Sequence, residues 1–367
     1  MFSEDDHLYM RQALDLAGRG LFSTMPNPRV GCVIVKDGAV VGRGAHLRAG
    51  EPHAEIHALR EAGERAKGAD VYVTLEPCSH HGRTPPCADA LVAAGVGRVI
   101  AAMQDPNPRV AGTGLGRLQA NGITTASGLL ETEARELNPG FISRMTRGLP
   151  FVRSKIAASL DGRTALANGA SKWITGEQSR ADVQQWRARS CAVMSGIGTV
   201  LLDDPQMDVR QPDLIQLKSG KQPLRVVVDS SLRISPDARI LQGGNTLVAY
   251  AVDDAARSAA LRSAGAELVC LPGDAGKVSL RDLLLHLAGL DINEVLVEAG
   301  QGLNGALQQA QLIDEYLFYY APILMGDAAR GMFALPELTD MSQRVELEIL
   351  EISGIGEDVH LRARPRR

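Results

Sequence analysis

Aromatic side chains are scarce in this sequence: two Trp, six Tyr and six Phe make up 4% of 367 residues. So few rings argue against the stacking platforms with which proteins hold single-stranded nucleic acid. A basic surplus is absent too. The formal net charge of −4 gives no general attraction to nucleic acid or to an anionic membrane, although a few local arginines could still hold a phosphate on a small molecule. No run of about 18 apolar residues occurs, so no membrane span is expected. The opening MFSEDDHLYM is acidic and lacks an apolar core, so no export signal is expected either. The five cysteines, Cys32, Cys78, Cys87, Cys191 and Cys270, are an odd set spread through a long chain. They do not look like a disulfide framework, and a reduced, cytoplasmic protein is the better reading. Neither an internal repeat nor a low-complexity linker is found.

At 45% hydrophobic and 22% charged, the chain can bury ordinary cores, and its length suits about two domains. SEDDHLYMRQALDLAGRG predicts an amphipathic helix with Leu8, Ala13, Leu14 and Ala17 on one face. VGCVIV and AVVGRGA, joined through Asp37-Gly38, predict a hairpin. A helix from Pro52 to Gly68, the strand DVYVTLE, the helix CADALVAAG, the strand GRVIAAM and the helix GLGRLQANG follow. This is a compact α/β unit ending near residue 145. In the second half, FVRSKIAAS, CAVMSG, LRVVVD, NTLVAYA, AELVCLP, EVLVEAG and EYLFYYAPI read as strands. EQSRADVQQWRARS, AARSAALRSAG and SLRDLLLHLAG read as helices between them. The alternating tail RVELEILEISGIGEDVHLRA predicts a closing antiparallel pair.

Two stretches carry chemistry. PHAEIHAL contains H-x-E at His53 and Glu55, and EPCSHHGRTPPC spaces Cys78 and Cys87 by eight residues. One imidazole and two thiolates suit a catalytic zinc, which keeps a fourth position open. In zinc deaminases a glutamate beside the histidine ligand shuttles protons without binding the metal, which is the place of Glu55. The two cysteines follow a strand and open a helix, whose N-terminus favours thiolates. The competing reading is of unrelated thiols around a polar turn. His57, four residues from His53, could in geometry be a further ligand but is read as a helix-face residue. The second stretch, VEAGQGLNGAL, spells G-x-G-x-x-G at Gly300, Gly302 and Gly305 between a strand and a helix. It suits a phosphate cradle, yet it lies too late in its domain for an ordinary dinucleotide fold. A close-packed structural turn fits the glycines equally well.

The block PCSHHGRTPPC, with NPRVG at 27–31 and GAHLRAGEPHAE before it, closely resembles the bifunctional riboflavin-biosynthesis deaminase–reductase family. KIAASLDGRTAL, SKWITG, GIGTVLLDDP and VEAGQGLNGAL extend the resemblance over nearly the whole chain. It implies a cytidine-deaminase-like α/β/α domain over 1–147 and a dihydrofolate-reductase-like α/β domain over 148–367. The first would deaminate a phosphorylated ribosylaminopyrimidine with Zn2+ held by His53, Cys78 and Cys87 and with Glu55 as proton shuttle. The second would use NADPH to reduce the ribosyl group to ribityl by hydride transfer to C1. Carried over by position, Asn27, His46, His80 and Arg83 contact the deaminase substrate; His81, by residue type, reads as an exposed turn residue. Ala157, Trp173, Thr199, Asp203 and the loop of Gly300, Gln301, Gly302, Leu303, Asn304, Gly305 and Ala306 line the cofactor site. Ser171, Arg187, Met207, Arg210 and Glu298 contact the reductase substrate, with Arg187 and Arg210 as phosphate holders. The family often has LTVR where this chain has MDVR, which bears on Met207. Lys155 and Asp161 match family motif positions without a defined role. For Trp173 the alternative is a plain core residue, and for the two arginines it is solvated surface charge.

The other readings are a nucleic-acid or nucleoside deaminase with a C-terminal binding module, and an interaction protein with structural zinc. Against the former stand the net charge and the few aromatics; RARPRR at the C-terminus is basic but reads as a solvated tail. Against the latter stands Glu55, which a closed four-ligand site would not need. The expected partner is the small-molecule substrate, with no nucleic acid and no membrane. A homo-oligomer is expected, a dimer first.

Overall fold

Capping chemistry starts the chain. Ser3 Oγ accepts from the Asp6 N–H at 3.1 Å, and the Asp6 carboxylate accepts from the Ser3 N–H at 2.9 Å. This reciprocal cap opens helix α1 (Glu4–Gly18), whose buried face is Met10, Ala13, Leu16 and Ala17. Leu8 is exposed, so the stripe is rotated from the one expected. The computed structural model describes residues 2–79, 85–108 and 110–366. In it Asp37 and Gly38 both take positive φ and close the tight hairpin of β1 (Gly31–Lys36) and β2 (Ala39–Ala45).

There follow α2 (Ala54–Ala62), β3 (Asp70–Val73), α3 (Cys87–Ala94), β4 (Arg98–Ala101) and α4 (Thr113–Ala120). Three more elements go beyond the periodicity: β5 (Thr124–Ser127), α5 (Glu131–Leu137) and α6 (Pro139–Arg147). They are short, and β5 is half exposed, so no clear apolar stripe announces them. Among the described residues the sheet order is β2-β1-β3-β4-β5; β1 is antiparallel to both neighbours and the last three strands run parallel. Helices α1 and α2 press on opposite faces of the hairpin. A Cβ on Gly44 would lie 1.9 Å from the Ala54 carbonyl oxygen, so only glycine lets the start of α2 sit this close to the sheet.

The chain divides into two compact units, Met1–Gly148 and Leu149–Arg367. The second begins with β6 (Phe151–Ser159) and β7 (Arg163–Ala165), then α7 (Glu177–Arg189), β8 (Ala192–Gly196), α8 (Ile197–Asp203) and α9 (Pro212–Leu217). Next come β9 (Leu224–Val228), β10 (Thr246–Tyr250), α10 (Ala255–Ser263), β11 (Ala266–Cys270), α11 (Leu280–Gly289) and β12 (Glu294–Glu298). The unit closes with α12 (Gln301–Gln309), β13 (Glu315–Ala321), β14 (Arg330–Gly331), β15 (Leu347–Ile355) and β16 (Asp358–Pro365). Among the described residues its main sheet runs β11-β10-β9-β8-β12-β6-β13-β16-β15. The first seven strands are parallel and read as apolar runs because helices cover them, and β16 and β15 add the expected antiparallel pair. No disulfide joins the five cysteines, and no helix among the described residues is long and apolar enough to cross a membrane.

The central strand carries a buried charge. Arg153 on β6 bonds Glu294 on β12 and Glu315 on β13, the latter at 3.1 Å, and its guanidinium lies over the rings of Phe151 and Trp186. Glu294 also accepts from Arg189 at 3.0 Å. Glu315 accepts from Arg364 at 2.9 Å and lies 3.4 Å from Arg362. The basic C-terminus is therefore no solvated tail: β16 delivers two of its arginines to a buried carboxylate. Burial pushes the Glu315 carboxyl up, but Arg153, Arg362 and Arg364 outweigh it and bring its pKa down to about 2. A carboxylate depressed on folding adds stability in full above its unfolded pKa near 4.5, and that stability drains away as pH falls toward 2. The expected loss is on the order of 3 kcal/mol. Urea unfolding of the second unit followed between about pH 5 and 3 should show this slope, and Glu315→Gln should flatten it.

Candidate active sites

Two helix starts and one loop make the first site. His53 is the N-cap residue of α2 in extended conformation (φ −73°, ψ 166°), so its imidazole leaves the chain just before the helix. Cys87 is the first residue of α3, and Cys78 lies on the segment that follows β3. The donor atoms of His53, Cys78 and Cys87 all lie within 4.8 Å of one another. The Cys87 and Cys78 sulfurs are 3.3 and 3.6 Å from His53 Nδ1, and the Cys87 N–H donates to Cys78 Sγ at 3.2 Å. Hydrogen bonds from the Cys87 thiol and from His53 draw the Cys78 thiol well below its ordinary pKa. No other His, Cys, Asp or Glu joins the group among the described residues, and His57 stays on its helix face.

Glu55 enters from the first turn of α2 and is 3% exposed. Its Oε2 has no hydrogen-bond partner. Burial pushes the carboxyl up to about 7, against the pull of the neighbouring imidazole. An unpaired buried carboxylate oxygen is costly. Three soft and borderline donors with one position to spare, beside an orphaned acceptor, fit a zinc ion with a polar ligand next to it.

His46 packs edge-on against His53 with ring centroids 5.2 Å apart. Its Nδ1 lies 3.2 Å from the Pro52 carbonyl oxygen, which must accept, so Nδ1 carries the proton and Nε2 accepts from Asn27 Nδ2 at 3.1 Å. The structure thus brings Asn27 and His46 together beside the cluster. His80, His81 and Arg83 lie outside the described residues. Sequence reasoning passed over Glu76. Its carboxylate accepts four backbone N–H groups, from Asp105 (3.1 Å), Gly112 (2.9 Å), Gly114 (2.8 Å) and Leu115 (3.2 Å), and so clamps that loop against Pro77-Cys78. A glutamate directly before Pro-Cys at the end of a strand was the available signal.

In the second unit the loops after β8 and β12, adjacent parallel strands, meet. The Gly300 N–H donates to Thr199 Oγ1 at 3.2 Å, and Leu303 packs on Gly196. Two helix starts, α8 and α12, therefore lie side by side, an arrangement suited to an anion. The glycines of G-x-G-x-x-G divide in role. A Cβ on Gly305 would come 2.3 Å from the Ala334 carbonyl oxygen, so that glycine serves chain packing, while Gly302 meets nothing within 4 Å. Asn304 is turned inward, accepting from Ser154 Oγ at 2.9 Å and donating to the Ala299 carbonyl at 2.9 Å.

Asp203 at the end of α8 lies 3.5 Å from Ser171 Oγ, which donates, and next to Ser171–Lys172 comes Trp173. Trp173 is 72% exposed, with the Arg180 guanidinium 4.7 Å over its ring, so it is not a core residue. Arg187 is buried and bidentate to Glu298 (2.5 and 3.0 Å), and it also donates to the Asp208 carbonyl at 3.0 Å. It is not a solvated charge. Burial pushes the Glu298 carboxyl up, but Arg187, Lys155 and Arg210 outweigh it and the net shift is down. Arg210 is anchored by its N–H to Gln184 Oε1 at 2.8 Å while its guanidinium stays mostly exposed. Met207 is buried in the apolar core with φ 55°, so a substrate contact there would be through its backbone. Lys155 and Ala157 share one face of β6, both half-buried. Asp161 accepts from the Met325 and Gly326 N–H groups and holds that loop.

Residues 150–361 match the model of the RibD C-terminal domain, and residues 3–103 match the cytidine and deoxycytidylate deaminase zinc-binding region. The riboflavin biosynthesis protein RibD of Escherichia coli K12 is 51% identical over 365 residues, covering 97% of this chain and 98% of that protein. This chain belongs to the RibD family of riboflavin-biosynthesis deaminase–reductases. The RibD of Haemophilus influenzae is 46% identical over the full chain. Among solved structures, Acinetobacter baumannii RibD superposes with TM-score 0.91 at 45% identity, and a Thermotoga maritima diaminohydroxyphosphoribosylaminopyrimidine deaminase/5-amino-6-(5-phosphoribosylamino)uracil reductase with 0.86 at 32%; each match covers 99% of both chains. The family accounts for both halves of the architecture, a deaminase-like α/β unit and a reductase unit of dihydrofolate-reductase-like fold.

Proposed function

We propose that the unit Met1–Gly148 carries out the hydrolytic deamination of a phosphorylated ribosylaminopyrimidine, and that Leu149–Arg367 then reduces its ribosyl group with NADPH. The observation that carries this reading is the convergence of His53, Cys78 and Cys87 beside the unpartnered buried oxygen of Glu55. His53, Cys78 and Cys87 are the residues that would hold zinc. A bound zinc ion supplies the Lewis acidity that makes water nucleophilic near neutral pH. Glu55, held near 7 by burial, is poised to take the proton of the attacking water at its carboxylate and hand it to the departing ammonia. Asn27, oriented by His46, faces the substrate ring. His80 and Arg83 are assigned to the substrate on the resemblance of their motif alone.

In the second unit the paired helix starts, with Thr199 and the 300–306 loop, would receive the dinucleotide phosphates, with Asp203 and Trp173 beside them. Bound NADPH supplies the hydride; the chain's task is to hold the sugar carbon against the nicotinamide. Arg187 is committed to Glu298 and orients that carboxylate. The exposed Arg210 is the better phosphate holder of the two. The unpaired outer edge of β15, with Ile349 and Ile352 exposed, supports a homo-oligomer built on a second copy. Thiols without disulfides suit the cytoplasm.

Glu55→Gln should retain zinc by metal analysis and lose deamination by about 100-fold or more, while reduction of pre-deaminated substrate persists. Full ammonia release by that variant would end the assignment. NADPH should quench the tryptophan fluorescence of the chain, and Trp173→Phe should remove most of the quench; a stronger response to NADH would overturn the cofactor choice. Ile352→Lys should shift the sedimentation of the assembly toward the single chain.

A further inference from the structure

We propose that Asp358, on the last strand of the chain, is a positioning residue for the reductase site, acting through helix α7. This rests on the assignment of Arg187, Glu298, Arg210 and Trp173 to that site.

Helix α7 has no cap of its own. Its N-cap residue is Gly176, which has no side-chain oxygen to receive the exposed N–H groups of the first turn. An anchor for this start comes from a residue 182 positions away: Asp358 Oδ2 accepts from the N–H of the N-cap residue Gly176 at 2.8 Å and from the Ser179 hydroxyl of the first turn at 2.6 Å. Asp358 is buried, and its negative charge sits where the helix dipole favours one. The turn before it also bears on the helix. Gly356 takes φ 63°, and a Cβ there would come 2.6 Å from Gln178 Oε1. The β15–β16 hairpin tip therefore rests on the first turn of α7 and anchors its start.

The rest of α7 faces the candidate site at successive turns. Arg180 lies over Trp173, Gln184 accepts from the Arg210 N–H, and Arg187 holds Glu298 from two sides. Asp182 ties the same helix to β13, accepting from Tyr319 Oη at 2.5 Å. Helix ends fray first, so loss of this anchor frees the turn that carries Arg180 and loosens the support of Gln184 and Arg187 behind it, and small misplacements at a site are costly. Asp358 touches no assigned substrate residue. Its influence on binding has to pass through the helix.

The test compares Asp358→Asn, Asp358→Ala and Arg187→Ala in the full-length, zinc-loaded chain, with deaminase turnover in the same preparation as the folding control. Asp358→Ala is expected to raise the reductase KM for the ribosylaminopyrimidine about tenfold with kcat within about twofold, and Asp358→Asn about threefold; deamination stays at the wild-type rate. Adding Gly176→Asp to Asp358→Ala supplies a cap locally and is expected to bring KM back to within about threefold of wild type. A wild-type KM in Asp358→Ala, with KM raised in Arg187→Ala, overturns the proposal and leaves the site assignment standing. If Arg187→Ala also leaves KM unchanged, the assignment falls and the proposal with it. Restored thermal stability in the double variant with KM still raised overturns the helix as the route.

Discussion

A charge buried without a partner costs several kcal/mol, and both units are organised around meeting that constraint. Arg153 can occupy the central strand of the second sheet only because β12 and β13 bring Glu294 and Glu315 to it, and because β16 returns with Arg362 and Arg364. The same rule places Arg187 against Glu298 and gives the Glu76 carboxylate four backbone donors. Against this background the unpartnered oxygen of Glu55 is informative. Asp208 and Asp229 in the second unit also keep a buried oxygen without a hydrogen bond, so what singles out Glu55 is its place beside three metal-type donors. An open acceptor next to such a cluster suits a metal-bound polar ligand.

Helix starts recur as the means of building sites here. His53 precedes α2, Cys87 opens α3, and the loops into α8 and α12 lie against each other. Each start offers backbone N–H groups and a favourable field for thiolates or phosphates. The packing that allows these starts to converge depends on glycine at points of close approach, Gly44 under α2 and Gly305 under the chain at Ala334. Helix α7 is the exception, because its acceptor arrives from the far end of the chain. Function in the second unit is thereby linked to the integrity of its final hairpin.

Much of this was legible in the sequence because the signals were local. Asp37-Gly38 specified a turn, apolar runs marked the parallel strands, and H-x-E with Pro-Cys specified a metal chemistry. Where signals were weak or non-local the reading fell short. Helices α5, α6, α8 and α9 are too short for a periodicity to stand out. The α1 stripe was misplaced because Leu8, although apolar, is exposed while Met10 and Leu16 are buried. RARPRR looked like a solvated tail because its partner, Glu315, lies some 47 residues away for Arg362 and is buried. Trp173 was ambiguous by residue type, and its exposure excludes the core alternative.

The sequence by itself determined the two α/β units, the zinc-type donor set and the family, since each rests on residue type at short spacing. Tertiary structure alone decided how the residues divide the labour. It split the glycine motif between an open position at Gly302 and a packing contact at Gly305, turned Asn304 and Met207 inward, and committed Arg187 to Glu298 while leaving Arg210 outside. It also gave Asp358 its place at the start of α7. Pairing and burial depend on which strands become neighbours, and sheet order is a property of the whole chain that no local pattern encodes.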